Sequence, residues 1–382
     1  MSGPLHGFRI VELAAIGPVP FAGALLADLG ADVVRVDRVP VLGREPDPPP
    51  RFDFYNRNKR SVAFDLKQPA GVQAVLNMVR KADVLLEGMR PGVTDRLGVG
   101  PDACLAANPR LVYGRMTGWG QQGPLAQEAG HDINYLALTG ALACIGEPGR
   151  PPSPPLNLVA DLGGGAMYLA VGVLAAAMSA RVSGRGQVVD AAMIEGASML
   201  AAPIHAFMAA GLWSDRRGAN LLDSGAPFYD TYETADGRHV AVGCLEPRFF
   251  AEFSNLLPLS EHFVRGQYDK ALWPEMRAVI AGRFRQKTRD DWAGLFEGTD
   301  ACVAPVLSLT EARNHPHISA RHAFVKTGAF ERPAPAPRFS GSQPSLAATP
   351  VDEDQRPQIV LARFGFSADE VKALVKSGLI GQ

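Results

Sequence analysis

Short apolar runs alternate with helical segments over the first 120 residues, and this alternation constrains the fold more than any other feature. Residues 8–13 (FRIVEL) read as a strand, and residues 20–29 as a helix stopped by Gly30. Residues 32–37 (DVVRVD) form a second strand; after a proline-rich break at 40–50, residues 61–65 form a third. A helix over 70–81 and strands at 84–87 and 111–115 continue the pattern. Strand, helix and strand at this spacing require parallel pairing through right-handed crossovers. The expected fold class is α/β: a large doubly wound, Rossmann-like parallel-sheet domain.

The texture changes further along. Residues 162 to about 213 read as helical almost throughout, broken by Ser183-Gly184-Arg185-Gly186. Strands at 228–233 and 239–243 meet through Ala235-Asp236-Gly237, a hairpin signal. Helices follow near 247–256, 273–284 and 289–296, and a last helix at 367–377 comes after a proline-rich linker at 332–345. The expected domains are 1–190, completed by 330–382, and a small α+β domain at 225–310. A helical linker at 191–224 and a second linker at 311–329 join them. No internal repeat is visible.

Composition narrows the function. Lys plus Arg number 38 against 39 Asp plus Glu, a formal charge of −1. Nucleic-acid and membrane-surface binders carry a basic excess, so neither partner is expected. The four cysteines, Cys104, Cys144, Cys244 and Cys302, are far apart and form no Cys-x-x-Cys pair, which argues against a disulfide scaffold or a zinc ribbon. The amino terminus lacks the basic and apolar blocks of a secretory signal, and the carboxyl terminus lacks a Ser-Lys-Leu address. A cytoplasmic protein is expected. Residues 162–180 are uncharged over nineteen positions, but they are rich in Gly and Ala and flanked by Asp161 and Arg181, which suits a buried core helix.

Motifs for common nucleotide and hydrolase chemistry are missing. Gly98-Val99-Gly100 follows a helical piece and has Pro101 inside, so it is not a dinucleotide fingerprint. No P-loop, His-Glu-x-x-His or Gly-x-Ser-x-Gly occurs. Basic residues gather instead at Arg51, Arg57, Lys59, Arg60 and Lys67, and Arg38 ends the second strand. Ligands of parallel sheets bind outside the carboxyl ends of strands, so Arg38 is placed for a phosphorylated handle; a solvated charged loop is the plainer alternative. His131 opens a helical piece in residues 130–135 (GHDINY), where a histidine faces the positive end of the peptide dipoles and is suited to act as a base. Asp161 enters the glycine-rich start of the apolar helix, as a reacting carboxylate or as a helix cap, and Glu246 follows an apolar strand.

Ordered segments along nearly the whole chain carry a resemblance. They are residues 11–13 (VEL), 30–38 (GADVVRVDR), 65–67 (DLK), 90–93 (RPGV), 116–121 (MTGWGQ) and 130–135. Residues 155–158 (PLNL) with Asp161, 184–190 (GRGQVVD), Glu246-Pro247, 299–303 (TDACV) and Pro305-Val306 complete the set. On these segments the chain resembles the α-methylacyl-CoA racemases, a branch of the family III CoA-transferase superfamily. The resemblance implies that His131 and Asp161 are the proton-transfer pair, on opposite faces of the substrate α-carbon. It implies that Glu246 orients the histidine across a homodimer interface and that Asn157 stands close to the catalytic carboxylate; Asp132 is counted with them among the expected catalytic residues. Arg38, Phe64, Asp65, Leu66, Lys67, Arg90, Gly130 and Tyr135 match CoA-contacting positions. The implied substrate is an acyl-CoA, with CoA part of the substrate and no further cofactor or metal.

The chain departs from the family pattern at Arg248, where Gln is usual, and at Ser224, where Gly is usual. The loop near 40–50 is longer than common, and the C-terminal tail is individual. Two other readings stand beside the racemase: a CoA transferase using Asp161 as covalent nucleophile, and a nucleotide-binding or regulatory module without turnover.

Overall fold

The computed structural model describes residues 3–39, 52–327, 330–344 and 356–380. The proline-rich stretch at 40–50 and Arg51 lie outside the described residues. Contacts divide the chain into two units, one of residues 1–139, 156–200 and 322–382, the other of residues 140–155 and 201–321.

The first unit runs β1 (Arg9–Leu13), α1 (Pro18–Asp28), β2 (Asp32–Asp37), β3 (Arg60–Ala63), α2 (Pro69–Val79), β4 (Val84–Glu87), α3 (Val93–Arg96), α4 (Pro101–Ala107) and β5 (Val112–Thr117). It continues through α5 (Asp132–Leu138), a π-helical stretch (Leu158–Ala166), α6 (Met167–Ser183), β6 (Gln187–Ala192) and α7 (Met193–Leu200). The six strands form one sheet in the order β3-β2-β1-β4-β5-β6. Every pairing in it is parallel. All four residues of β4 are buried, the mark of a central strand covered on both faces. Proline opens α1, α2 and α4, where a missing N–H costs nothing. The α/β class and the parallel sheet expected from the alternation are borne out.

Two expectations for 162–213 change. Residues 187–192 form β6 rather than helix, because Val188 and Val189 extend the sheet beside Tyr113 and Gly114 of β5. Gly186 makes this junction, since a Cβ there would lie 1.8 Å from the Leu111 carbonyl oxygen. The apolar helix, expected to be buried, is buried on one face only. Leu169 and Val173 press on Gly114 of β5, while Val171, Met178 and Val182 remain exposed. Residues 158–183 are long and apolar enough to cross a membrane by length and composition; an 18-residue window within them has a mean hydropathy of 1.7, and 39% of that window is buried within the fold.

The second unit contains α8 (Ala202–Ala209), β7 (Tyr229–Glu233), β8 (His239–Gly243), α9 (Pro247–Leu256), α10 (Glu261–Arg265), α11 (Trp273–Phe284), α12 (Arg289–Phe296), β9 (Val303–Pro305), α13 (Leu309–Ala312) and α14 (Pro316–Ala320). Its three strands pair antiparallel as β7-β8-β9. Phe228, Phe250, Phe253, Phe284 and Trp292 form an aromatic core in which neighbouring rings stack, tilt or meet edge-on. Residues 140–155 cluster here rather than with the large domain as expected from sequence. The Arg217 guanidinium explains this by donating to the carbonyl oxygens of Ala143, Glu147 and Arg150. The chain then returns to the first unit with β10 (Phe324–Thr327), β11 (Phe330–Pro333), α15 (Pro357–Ala362) and α16 (Ala368–Lys376). β10 falls in the 311–329 stretch expected to be linker, and it pairs with β11 at the start of the stretch expected to complete the large domain.

Ser224 holds a φ of 64°, the left-handed region that glycine adopts without strain. Ser224→Gly is therefore expected to stabilise the second unit by about 1 kcal/mol. A rise in the urea midpoint checks this; an unchanged or lower midpoint contradicts it.

Candidate active site

A cavity of about 600 Å³ opens within the first unit at the carboxyl ends of its central strands. Residues 16–19 after β1, 88–91 after β4 and 116–119 at the end of β5 form one side of it. Gly130, His131, Tyr135, Asn157 and Asp161 form the other. Parallel sheets place ligands at this edge because the loops after their strands converge there.

The start of α5 is fixed by local hydrogen bonds. The exposed His131 is its N-cap, and its N–H donates to Asn134 Oδ1 at 3.0 Å. The Asn134 N–H donates back to the His131 carbonyl oxygen at 2.8 Å. Tyr135 turns its hydroxyl to the Gly130 carbonyl at 2.6 Å and sets its ring edge-on to Trp119, 4.7 Å between centroids. Gly118 must be glycine, since a Cβ there would lie 2.2 Å from the Tyr135 ring.

Asp132 joins this helix to the other catalytic candidate. It is 5% exposed, and its Oδ1 accepts the N–H groups of Ala160 at 2.8 Å and Asp161 at 2.7 Å. Those donors stand in the first turn of the π-helical stretch, where backbone N–H groups lack partners within the helix. The same stretch packs backbone to backbone on α7; a Cβ at Gly196 would approach the Gly164 carbonyl oxygen to 1.8 Å. Asp161 is thus clamped from two sides.

Burial raises the Asp161 carboxyl above the usual range for an aspartate, and the charge of Asp132 raises it further. A hydrogen bond from Asn157 and the nearby His131 act in the opposite direction. Asp132→Asn keeps an oxygen for the two N–H groups and removes the charge. The acid limb of the activity–pH profile assigned to Asp161 is therefore expected to move to lower pH. A limb that stays in place, or moves up, contradicts that electrostatic coupling.

Six sequence-derived candidates line the cavity: His131, Asp161, Asn157, Arg90, Gly130 and Tyr135. Asp132 stands behind its wall as an anchor. Arg38 and Lys67 are exposed after β2 and β3, on the same edge of the sheet but outside the lining. The side chain of Phe64 is in the core at 1% exposure, Leu66 packs against that core, and Asp65 Oδ1 accepts the Lys67 N–H at 3.0 Å. Glu246 is exposed as the N-cap of α9, in the second unit.

The basic cluster near β3 is largely internal. Arg57 pairs with Asp28, Lys59 Nζ reaches Glu12 Oε2 at 2.7 Å, and Arg60 reaches Asp32 at 2.9 Å. Charges this close to the core require partners, so these three do not form the phosphate clamp that their spacing suggested. Arg38, Lys67 and Arg90 remain as exposed cations at the sheet edge.

Sequence reasoning did not single out Gly17, Tyr55, Met89 or Met193, all of which line the cavity, and Trp119 entered only within the 116–121 motif. Gly17 is nearest to the chemistry: a Cβ there would lie 3.5 Å from Asp161 Oδ2. The rule that points to strand carboxyl ends applies to residues 14–18, which directly follow β1.

Comparison with known proteins adds to this geometry. The family model for CoA-transferase family III matches residues 5–358. The chain belongs to this family. A mouse (Mus musculus) family relative named α-methylacyl-CoA racemase is 44% identical over 373 residues, 97% of this chain and 96% of its own length. A human (Homo sapiens) protein of the same name is 41% identical over 381 residues, 98% of this chain and 97% of its own. Among solved structures of the family, a CAIB/BAIF family protein from Brucella suis superposes with a TM-score of 0.77 at 26% identity. It covers 99% of this chain and 100% of that one.

Proposed function

We propose that the protein is an acyl-CoA racemase that inverts the α-carbon of 2-methylacyl-CoA thioesters by two-base proton transfer. The carrying observation is the placement of His131 and Asp161 on one cavity, with Asp161 half-buried and its carboxyl raised. The racemase names of the two mammalian relatives support the same reading.

Inverting this carbon means removing its proton from one face and returning one on the other. One base cannot reach both faces unless the substrate turns over, so two groups are required. In one direction neutral His131 takes the proton, and protonated Asp161 delivers another to the opposite face; in the other direction the roles exchange. A raised carboxyl suits this exchange because proton transfer is efficient when donor and acceptor affinities lie near the working pH. Negative charge develops on the thioester oxygen of the enolate. Backbone N–H groups at the start of α5 are the candidate donors, and one well-placed donor contributes about 3 kcal/mol. Arg38, Lys67 and Arg90 are assigned to the CoA handle. CoA enters as part of the substrate, and the proton transfers call for no other cofactor.

The active form is proposed to be a homodimer. Val171, Met178 and Val182 leave an apolar stripe exposed along α6, and Leu156 and Leu158 precede it. A second copy covering that stripe removes it from water. Glu246 of the partner subunit is then assigned to orient His131.

A second reading is favoured by the family's transferase members. Asp161 then attacks the thioester carbonyl as a covalent nucleophile, forming a mixed anhydride as the C–S bond breaks and CoA leaves as the thiolate. A single enantiomer of a 2-methylacyl-CoA, incubated with the protein and no acceptor acid, separates the two. Loss of optical purity supports the racemase. Retention of configuration, with an acyl-enzyme trapped by hydroxylamine and, once an acceptor acid is added, transfer of CoA to that acid, supports the transferase.

A further inference from the structure

Glu87 is the last residue of β4, and it is 3% exposed. Its Oε2 accepts the Met89 N–H at 2.7 Å. That bond closes the start of the turn at 88–91, which lines the cavity and carries Arg90. The turn is tied at two further points: the Val93 N–H donates to the Arg90 carbonyl at 3.1 Å, and the Gln127 amide donates to the Pro91 carbonyl at 3.2 Å. On its other side Gly88 abuts α1, where a Cβ would lie 2.8 Å from Val19 Cγ2. Of the three ties, only the one through Glu87 uses an ionisable group.

We propose that Glu87 is a positioning residue that holds the Gly88-Met89-Arg90-Pro91 turn, and with it Arg90, in place for the phosphorylated end of a CoA thioester. The proposal rests on the acyl-CoA reading given above. The surroundings of Glu87 make this support sensitive to pH. Arg115 of β5 stands in register with it and attracts its charge, while Asp95 of α3 and Asp190 of β6 oppose it. Asp190 lies 3.8 Å from Arg115 and shares that guanidinium. Tyr113 of β5 is a further ionisable neighbour on that side. Glu12 of β1 stands in register with Leu86, so it belongs to the opposite face of the sheet. Burial is the largest influence and pushes the Glu87 carboxyl up to about 7.

Above that pH Glu87 is ionised and holds the Met89 N–H through a charge-assisted hydrogen bond, roughly twice as strong as a neutral one. Below it the carboxyl is neutral and the turn is held less firmly. Glu87→Gln keeps an acceptor oxygen of the same shape and cannot ionise.

The test is titration calorimetry of CoA binding from pH 6 to 8, on the wild type, Glu87→Gln and Glu87→Ala. The wild type is expected to tighten about fivefold on crossing pH 7 relative to Glu87→Gln, whose profile lacks this component. Glu87→Ala is expected to bind more weakly than both at pH 8. Superimposable pH profiles for wild type and Glu87→Gln would overturn the role of Glu87, and this comparison stands even if the alanine variant does not fold. No binding of CoA by the wild type at any pH overturns the acyl-CoA reading itself.

Discussion

Replacing His131 with alanine is expected to reduce racemisation by about 10²- to 10⁴-fold, the range supplied by a positioned general acid–base group. Asp161 is held by Asp132 through two backbone N–H groups, a restraint that does not pass through the imidazole, so it keeps its place in the variant. One enantiomer should therefore still exchange its α-proton with solvent through Asp161, without inversion. Loss of inversion with retained one-faced exchange is the signature of two bases. Full racemisation by His131→Ala contradicts the assignment. Equal loss of exchange from both enantiomers shows instead that His131 acts on binding.

The second large effect concerns folding. Lys59 Nζ donates to Glu12 Oε1 at 2.8 Å, to Oε2 at 2.7 Å and to the Pro20 carbonyl at 2.9 Å. Both side chains are essentially buried, at 1% and 0%. Burial pushes Glu12 up and Lys59 down, each towards neutrality, while their mutual contact holds the charges in place. The pair ties β1 to the segment before β3 and to α1, whose first residues line the cavity. Lys59→Met strands the Glu12 carboxylate in the core and is expected to destabilise the first unit by about 3–5 kcal/mol. Glu12→Leu combined with Lys59→Met removes both charges and should recover most of that loss. The comparison is made by urea unfolding of the single and double variants. A single variant within about 1 kcal/mol of wild type contradicts the burial argument.

Local signals made much of the fold legible. The α9, α11 and α12 boundaries follow from an opening proline in the first two and from Thr288 in the third, whose side chain accepts the Asp291 N–H. β2, β4 and β8 follow from dense β-branched and apolar residues. β6 was not legible. It is a half-exposed edge strand that directly follows an apolar helix, and its partner residues on β5 lie 75 positions earlier. Short pieces such as β9 likewise acquire their identity from a distant partner.

The site divides in the same way. His131, Asp132, Asn157 and Asp161 were identified through the ordered motifs, and the fold brings them together at one cavity or just behind its wall. The basic cluster misled because its partners are invisible to local reading: Asp28, Glu12 and Asp32 lie 29, 47 and 28 positions from Arg57, Lys59 and Arg60. Gly17 and Tyr55 were missed because nothing in their own segments marks a cavity wall; they become one only when α1 and the loop before β3 meet beside the sheet.

The central claim is that one α-proton is removed by one group and another is returned from the opposite face. Its most direct test is incubation of a single enantiomer of 2-methylacyl-CoA with the wild-type protein in deuterated water. The account predicts that molecules of inverted configuration carry deuterium at the α-carbon from the earliest time points. Inversion without solvent deuterium, or no exchange and no inversion alongside acyl transfer, would contradict it.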